Sequence, residues 1–293
     1  EEEDRLGAKK KRLAAEIAER IEKKEDLAHK LKEGLREADK SDTWRLWGEL
    51  LNTYAREVPP FSQTALLPNY GGEIEKIPLE PALSATENSQ KFFKKYRKAK
   101  MVREVNQRML AEIAEEVAYL EGVLASIDFA TEKGELEEIQ TEIAPPKNAK
   151  NVKSVKNSRS SKKVKILESQ PLHFLSRDGY EILVGKNNRQ NDILTMKNAA
   201  PMDWWLHAQY IPGSHVIVKS QGEEILPTST LIDAAGLAAY YSRARESTKV
   251  PVVCLRRRQV KKPPGSKPGL VIYTNEKVVL VAPWDGVNGD RRI

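Results

Sequence analysis

Cysteine occurs once in this 293-residue chain, at Cys254. A single thiol excludes an internal disulfide framework and any zinc site built on several thiolates; it fits a reducing compartment, so the cytoplasm is the expected location. Apolar runs are equally scarce. None approaches the ~18 residues that a membrane span requires, and no membrane partner is expected. A secretory signal is lacking too, since residues 1–12 read EEEDRLGAKKKR without an apolar core. The first residue is Glu1 and not Met, which suggests a fragment or a trimmed product.

Charge is abundant and unevenly placed. Residues 1–140 hold 24 Lys and Arg against 29 Asp and Glu; residues 141–170 hold 8 against 2; residues 171–293 hold 17 against 11. A basic second half suits a polyanionic partner, because clustered cations gain by releasing counterions from phosphates. Charge alone leaves a merely soluble basic surface equally open. With 40% hydrophobic residues, a chain of this length can bury more than one core and form two domains.

The first half reads as helix. Leu13, Ile17, Ile21, Ala28, Leu31, Leu35 and Ala38 fall on one stripe. The stripe broadens through Trp44, Leu46, Trp47, Leu50, Leu51 and Tyr54, which predicts one helix running on to Val58-Pro59-Pro60. Residues 59–86 then change period: Asn69 to Gly72 read as the turn of a small β-hairpin, followed by the alternating Glu73-Ile74-Glu75-Lys76-Ile77. Ser84-Ala85-Thr86-Glu87 matches a capping box. It opens a second long helix, striped by Val102, Val105, Met109, Ile113, Val117, Leu120, Leu124 and Ile127. Neither stripe can be buried alone, so residues 1–140 are expected to form an antiparallel coiled-coil arm with a β tip. A helical bundle folded back on the second half stays open.

Residues 141–170, and above all 145–165, are Lys, Ser and Asn with few bulky apolar residues, a basic flexible linker. Residues 171–293 have the texture of a compact α+β domain. A hairpin is expected to turn at Arg177-Asp178-Gly179, a short helix to span Gln190–Ala200, and strands to lie at 204–207, 215–219 and 250–255. A helix is expected over Leu231–Arg245 and a last hairpin around Asn275-Glu276.

Three segments carry residues suited to chemistry. In GKNNRQND, Lys186, Asn187, Asn188 and Arg189 offer donors for phosphate and sugar, although a turn followed by a helix capped at Asn191 or Asp192 explains them as well. Next, Asp203, His207, Gly213, Ser214, His215 and Lys219 surround a Pro-Gly turn. Neither a metal site nor a Ser-His-Asp relay is favoured: a third ligand is missing, and Ser214 lacks a nucleophile elbow. Neutral histidines touching RNA, or bonded inside the sheet, and backbone N–H groups forming an anion nest, are the alternatives. Finally, Arg256, Arg257, Arg258, Lys261, Lys262 and Lys267 lie on a proline-rich loop that displays its cations to phosphates. No catalytic residue, metal or cofactor is called for.

At these residues the chain resembles a known family. DGYEILVGKNNRQNDILTMKNA, DWWLHAQYIPGSHVIVKS, AAGLAAYYSRARES and VKKPPGSKPGLVIY, in that order, are similar to the NFACT-R domain of the NFACT ribosome-quality-control proteins, formerly described as fibronectin-binding proteins. NYGGEIEKIPLEPALSATENSQKFFKKYRKAK is similar to the same family's middle coiled coil. The resemblance implies a factor that binds a large ribosomal subunit still obstructed by peptidyl-tRNA. It implies rRNA, stalk-base proteins and tRNA as partners, with the tip residues Asn69, Tyr70, Gly71, Gly72 and Lys76 reaching the stalk base. It also implies support for untemplated alanine tailing of the stalled chain. No counterpart of the family's NFACT-N domain is expected before Glu1, so the residues that select tRNA are not placed. Two other classes stay open: an RNA- or nucleotide-processing enzyme using Asp203, His207 and His215, and an adhesin of the fibronectin-binding type.

Overall fold

A computed structural model describes residues 2–144 and 169–286. The chain divides into two compact units, Glu22–Ala114 and Glu1–Ile21 with Glu115–Ile293. Two long helices, α1 (Glu2–Ala38) and α3 (Ala85–Phe129), contribute to both.

Within Glu22–Ala114, the expected single helix is broken. It stops at Ala38 and resumes as α2 (Ser41–Thr53). Arg103 of α3 explains the break, because its Nη2 donates to the Ala38 carbonyl (3.3 Å) and to Ser41 Oγ (3.2 Å) on either side of it. The seam differs from the predicted stripe as well. Val105 is 37% exposed, while Asn106 turns inward and donates from Nδ2 to the Leu31 carbonyl (3.0 Å). Gly34 makes the room, since a Cβ there would stand 2.9 Å from Asn106 Nδ2. A polar residue on an apolar seam fixes register at some cost in stability.

The hairpin β1 (Thr64–Pro68) and β2 (Ile74–Pro78) runs from Thr64↔Pro78 to Pro68↔Ile74. Its inner face, Ala65, Leu67 and Ile77, packs on Leu50, Leu51 and Phe92, and Trp47 meets Phe92 edge-on at 5.3 Å. The capping box forms: Glu87 N–H donates to Ser84 Oγ (3.2 Å) and Ser84 N–H to Glu87 Oε2 (2.8 Å).

In the other unit, Leu13, Ile17 and Ile21 of α1 pack against Leu120, Val123 and Ile127 of α3, and α4 (Lys133–Ile143) adds Leu136 and Ile139. Helix α4 crosses the boundary expected at 141, and the basic stretch 145–165 lies outside the described residues.

The described remainder of this unit is built on a six-stranded antiparallel sheet of order β10-β7-β5-β6-β4-β3. Its strands are β3 (Leu172–Leu175), β4 (Glu181–Val184), β5 (Trp204–Ala208), β6 (Val216–Val218), β7 (Val250–Arg256) and β10 (Lys277–Val281). Alternation along β5 sends Trp204, Leu206 and Ala208 to the face covered by α6 (Thr228–Tyr240). Trp205 goes to the opposite face, with Ile217, Val253 and Leu255. That face is covered by α5 (Asn188–Ile193), a π-helical turn (Leu194–Asn198) and a ribbon of β8 (Val260–Lys261) with β9 (Ile272–Tyr273).

Two expectations for this domain are corrected. Helix α6 ends at Tyr240 and not Arg245, because the chain turns there to set Ser242 against Gly213. Residues 270–281 form no hairpin: β9 pairs with β8, whereas β10 joins β7, where Val279 and Val281 reach the core under α6.

Replacing fully buried Leu120 by Ala is expected to cost about 2–5 kcal/mol, whereas exposed Leu66→Ala changes stability by less than ~0.5 kcal/mol. Urea unfolding of the two variants checks the packing; equal losses would contradict it.

Candidate nucleic-acid interface

The amide-rich loop after β4 faces inward. Asn187, and not Asn191 or Asp192, caps α5, its Oδ1 accepting from Gln190 N–H at 2.8 Å. Its Nδ2 donates to Glu138 (3.2 Å), while Asn188 is buried and donates to the Tyr119 carbonyl (3.3 Å). Lys186 Nζ lies 2.7 Å from Glu135 Oε1. Burial raises the Glu135 carboxyl, but Lys186 and the Thr131 and Glu132 backbone donors outweigh it, so the group titrates below its ordinary value. Of Lys186, Asn187, Asn188 and Arg189, only Arg189 is exposed. The loop therefore joins the sheet to α3 and α4, which withdraws three of its four predicted phosphate contacts.

Asn191 is the hub of the next segment. Its Oδ1 accepts from His215 N–H (3.0 Å), its Nδ2 donates to the Gly213 carbonyl (3.4 Å), and Gly185 is packed against it so closely that a Cβ would overlap. Gly213 has no room for a side chain either, as a Cβ would stand 2.8 Å from the Tyr241 carbonyl. Ser214 is buried, and its N–H donates to that same carbonyl (2.8 Å) instead of forming a free anion nest.

The histidines form no relay with Asp203. That carboxylate accepts from Ala200 N–H (2.8 Å) and Ser220 N–H (3.0 Å) and pairs with Lys219 Nζ at 3.0 Å. His215 is buried between Thr195 Oγ1 (2.7 Å from Nδ1) and the Gly269 carbonyl (3.2 Å from Nε2). A carbonyl can only accept, so the neutral ring carries its proton on Nε2 and Nδ1 accepts the Thr195 hydroxyl. His207 is half-buried and stacks on Trp205, with ring centroids 5.7 Å apart and planes 14° apart. Desolvation pushes its pKa down to about 4 against weaker support from backbone groups of Gly213 and Ala208. Desolvation also holds His215 well below the ordinary histidine range, with a further contribution from His207. The Trp205 indole N–H is buried and has no acceptor among the described residues.

The arginine run divides by task. Arg256 is buried, with its guanidinium 3.7 Å over the Trp204 ring and donating to the Glu224 carbonyl (2.9 Å). Arg257 caps the π-helical turn through the Thr195 (2.7 Å) and Met196 (3.1 Å) carbonyls. Lys262 is paired with Asp192. Lys267 is exposed and lies over the Tyr119 ring at 5.4 Å. Arg258 and Lys261 are exposed. Arg189, Arg258, Lys261 and Lys267 are thus the predicted cations displayed at the surface, and Arg256 is a structural residue.

The tip turn in the other unit is built on Asn69, whose Oδ1 accepts from Gly71 N–H (2.9 Å) and Glu73 N–H (3.0 Å), while Gly72 takes φ +84°. Lys76 is exposed. Tyr70, 76% exposed, stands with Phe61, Leu66 and Ile74 as uncovered apolar side chains of this hairpin region. Phe61 and Leu66 were not among the residues expected at the tip, and Ile74 was expected only as part of the alternating strand.

Two family models match the chain. One, described as NFACT N-terminal and middle domains, covers residues 1–163; the other, described as NFACT protein RNA binding domain, covers residues 170–275. The first match corrects the expectation that the family's N-terminal domain has no counterpart here. The chain is similar to the Rqc2 homolog RqcH of Streptococcus suis, 35% identical over 97% of this chain and 50% of that protein. It is also similar to the Rqc2 homolog RqcH of Bacillus subtilis, 33% identical over 96% of this chain and 49% of that protein. The chain thus spans about half the length of the curated relatives it matches. Among solved structures, the C-terminal part of the fibronectin/fibrinogen-binding protein from Streptococcus suis aligns with a TM-score of 0.72 at 28% identity, covering 99% of this chain and 100% of that one.

The histidine environment sets an acid limit. Above the unfolded value near 6.5 both states leave His207 neutral, and linkage contributes nothing; as pH falls from about 6.5 towards 4, the unfolded chain takes up a proton that folded His207 refuses. Stability is therefore lost through that window. NMR titration should show His207 unprotonated at pH 5.5, and a midpoint near 6.5 would contradict the packing described.

Proposed function

Because the chain belongs to the NFACT family, we propose that it acts in ribosome quality control as an RNA-binding adaptor and not as an enzyme. The match of an RNA-binding domain over residues 170–275, the stretch that displays Arg189, Arg258, Lys261 and Lys267, carries this reading. The names of the Rqc2 homologs support it. Its RNA partners are rRNA and tRNA of a large subunit obstructed by peptidyl-tRNA. Phosphates meet the displayed cations, while Lys186, Arg256 and Arg257 hold the surface that presents them.

The hairpin at Asn69–Gly72, with Lys76, is the part that meets stalk-base proteins, and the exposed Phe61, Leu66, Tyr70 and Ile74 suit a protein contact better than a phosphate one. Untemplated alanine addition to the stalled chain then uses the subunit's own peptidyl-transferase centre. The protein supplies position and electrostatic attraction, and needs no nucleophile, metal or cofactor for this. Processing chemistry through Asp203, His207 and His215 is disfavoured, because the carboxylate is spent on Lys219 and two backbone donors.

Replacing Arg258, Lys261 and Lys267 together by Ala is expected to flatten the salt dependence of RNA binding by up to about 2.7 units on duplex and about 2 on single strands, with little change in Tm. Titrations at several salt concentrations check it. An unchanged slope would remove these residues from the RNA contact.

A further inference from the structure

Residues 91–108 of α3 carry eight Lys and Arg against a single acid, Glu104. The neighbouring part of α1 is balanced, with five cations and five acids over residues 22–38, and all of these residues lie in the unit Glu22–Ala114. Residues three or four apart are neighbours on a helix surface, so Lys91–Lys95, Lys94–Lys98, Lys94–Arg97 and Arg97–Lys100 set like charges side by side. Each such pair destabilises the helix. A face needed only for solubility would interleave the signs, as Arg45 and Glu49 do on α2 (3.9 Å).

The fold uses three of the eight cations. Lys91 pairs with Glu80, Arg103 holds the break at Ala38 and Ser41, and Lys95 lies 5.4 Å over the Phe92 ring. The other five, Lys94, Arg97, Lys98, Lys100 and Arg108, are exposed, and none has an ion-pair partner among the described residues. Lys94, Arg97, Lys98, Met101, Val105 and Arg108 recur at helical spacing and are all exposed, whereas Phe92, Ala99 and Asn106 turn inward. From Lys94 to Arg108 this face extends roughly 21 Å at 1.5 Å per residue. It displays no ring: Phe92 is buried with Leu50 and Leu51, and Phe93 abuts Gly48, where a Cβ would stand 3.0 Å from it.

We propose that the outward face of α3 from Lys94 to Arg108 is a second RNA contact, holding the phosphate backbone of double-helical RNA through Lys94, Arg97, Lys98, Lys100 and Arg108. It lies outside residues 170–275 and so goes beyond the RNA-binding reading above. Cations without aromatic neighbours can grip phosphates but cannot stack bases, which favours a duplex over a single strand. With Met101 and Val105 as its exposed apolar side chains, the face also lacks the aromatic anchors of a protein interface.

Fluorescence anisotropy of the full chain with an RNA duplex at several salt concentrations tests this, in wild type and in a background with Arg258, Lys261 and Lys267 replaced by Ala. Duplex binding is expected to persist in that background. Replacing Lys94, Arg97, Lys98 and Arg108 together by Gln, a good helix former, should then flatten the salt slope by up to about 3.6 units, so that the affinity lost between 50 and 200 mM salt shrinks on the order of 100-fold. Tm should hold or rise, because like-charge repulsion is relieved. The same loss of charge from α1, with exposed Lys30, Lys32, Arg36 and Lys40 changed to Gln, should leave the slope nearly unchanged. An unchanged slope in the α3 variant, or equal flattening in the α1 variant, would overturn the site and leave the C-terminal reading standing. Poly-glutamate binding as tightly as the duplex at equal salt would also overturn it, assigning the face to acidic protein. A flattened slope from α3 alone, with no effect of the Ala substitutions in wild type, would sustain this site and overturn the C-terminal contact. A wild-type chain that binds no RNA would overturn both.

Discussion

The register of β5 is the constraint on which the C-terminal half depends. Five residues, Trp204 to Ala208, lie between β6 and β7, and their alternation supplies both cores of the sheet. A slip of one residue would exchange Trp204 with Trp205 and turn His207 into the core under α6. Asp203, immediately before the strand, anchors it by accepting from Ala200 and Ser220 and by pairing with Lys219. Arg256 anchors it from β7, stacked on Trp204. The two residues that most resembled parts of an active site or a phosphate clamp thus hold the strand in place.

This division of labour recurs across the basic surface. A guanidinium committed to carbonyls, buried in Arg256 and half-buried in Arg257, satisfies acceptors that a turn leaves orphaned and cannot also bind phosphate. Arg258 and Lys261, by contrast, are left exposed at the surface. Lys186 and Glu135 form a largely buried pair that joins the sheet to α4. Such a pair loses much more when one partner is removed than it gains when formed.

Much of the architecture was legible in the sequence because its signals are local. The helical stripe around Leu13, the Ser84–Glu87 capping box, the turn at Asn69–Gly72 and the hairpin at Gly179 each follow from a few adjacent residues. What escaped depends on distant partners. Arg103 breaks the first helix from another helix, Asn106 displaces Val105 because Gly34 lies opposite, and β10 leaves β9 because β7 offers a ladder and a core. The candidate site was legible as a basic, motif-rich stretch but not residue by residue. Burial sorts Arg256 from Arg258, and composition carries no sign of it.

The partner proposed for this chain is the RNA of an obstructed large ribosomal subunit. The decisive experiment is co-sedimentation with isolated large subunits carrying peptidyl-tRNA, with empty subunits and with intact ribosomes, each at several salt concentrations. Preferential binding to the obstructed large subunit is expected, persisting at salt concentrations that abolish binding to unrelated RNA. Equal binding to all three particles, lost in parallel as salt rises, would contradict it.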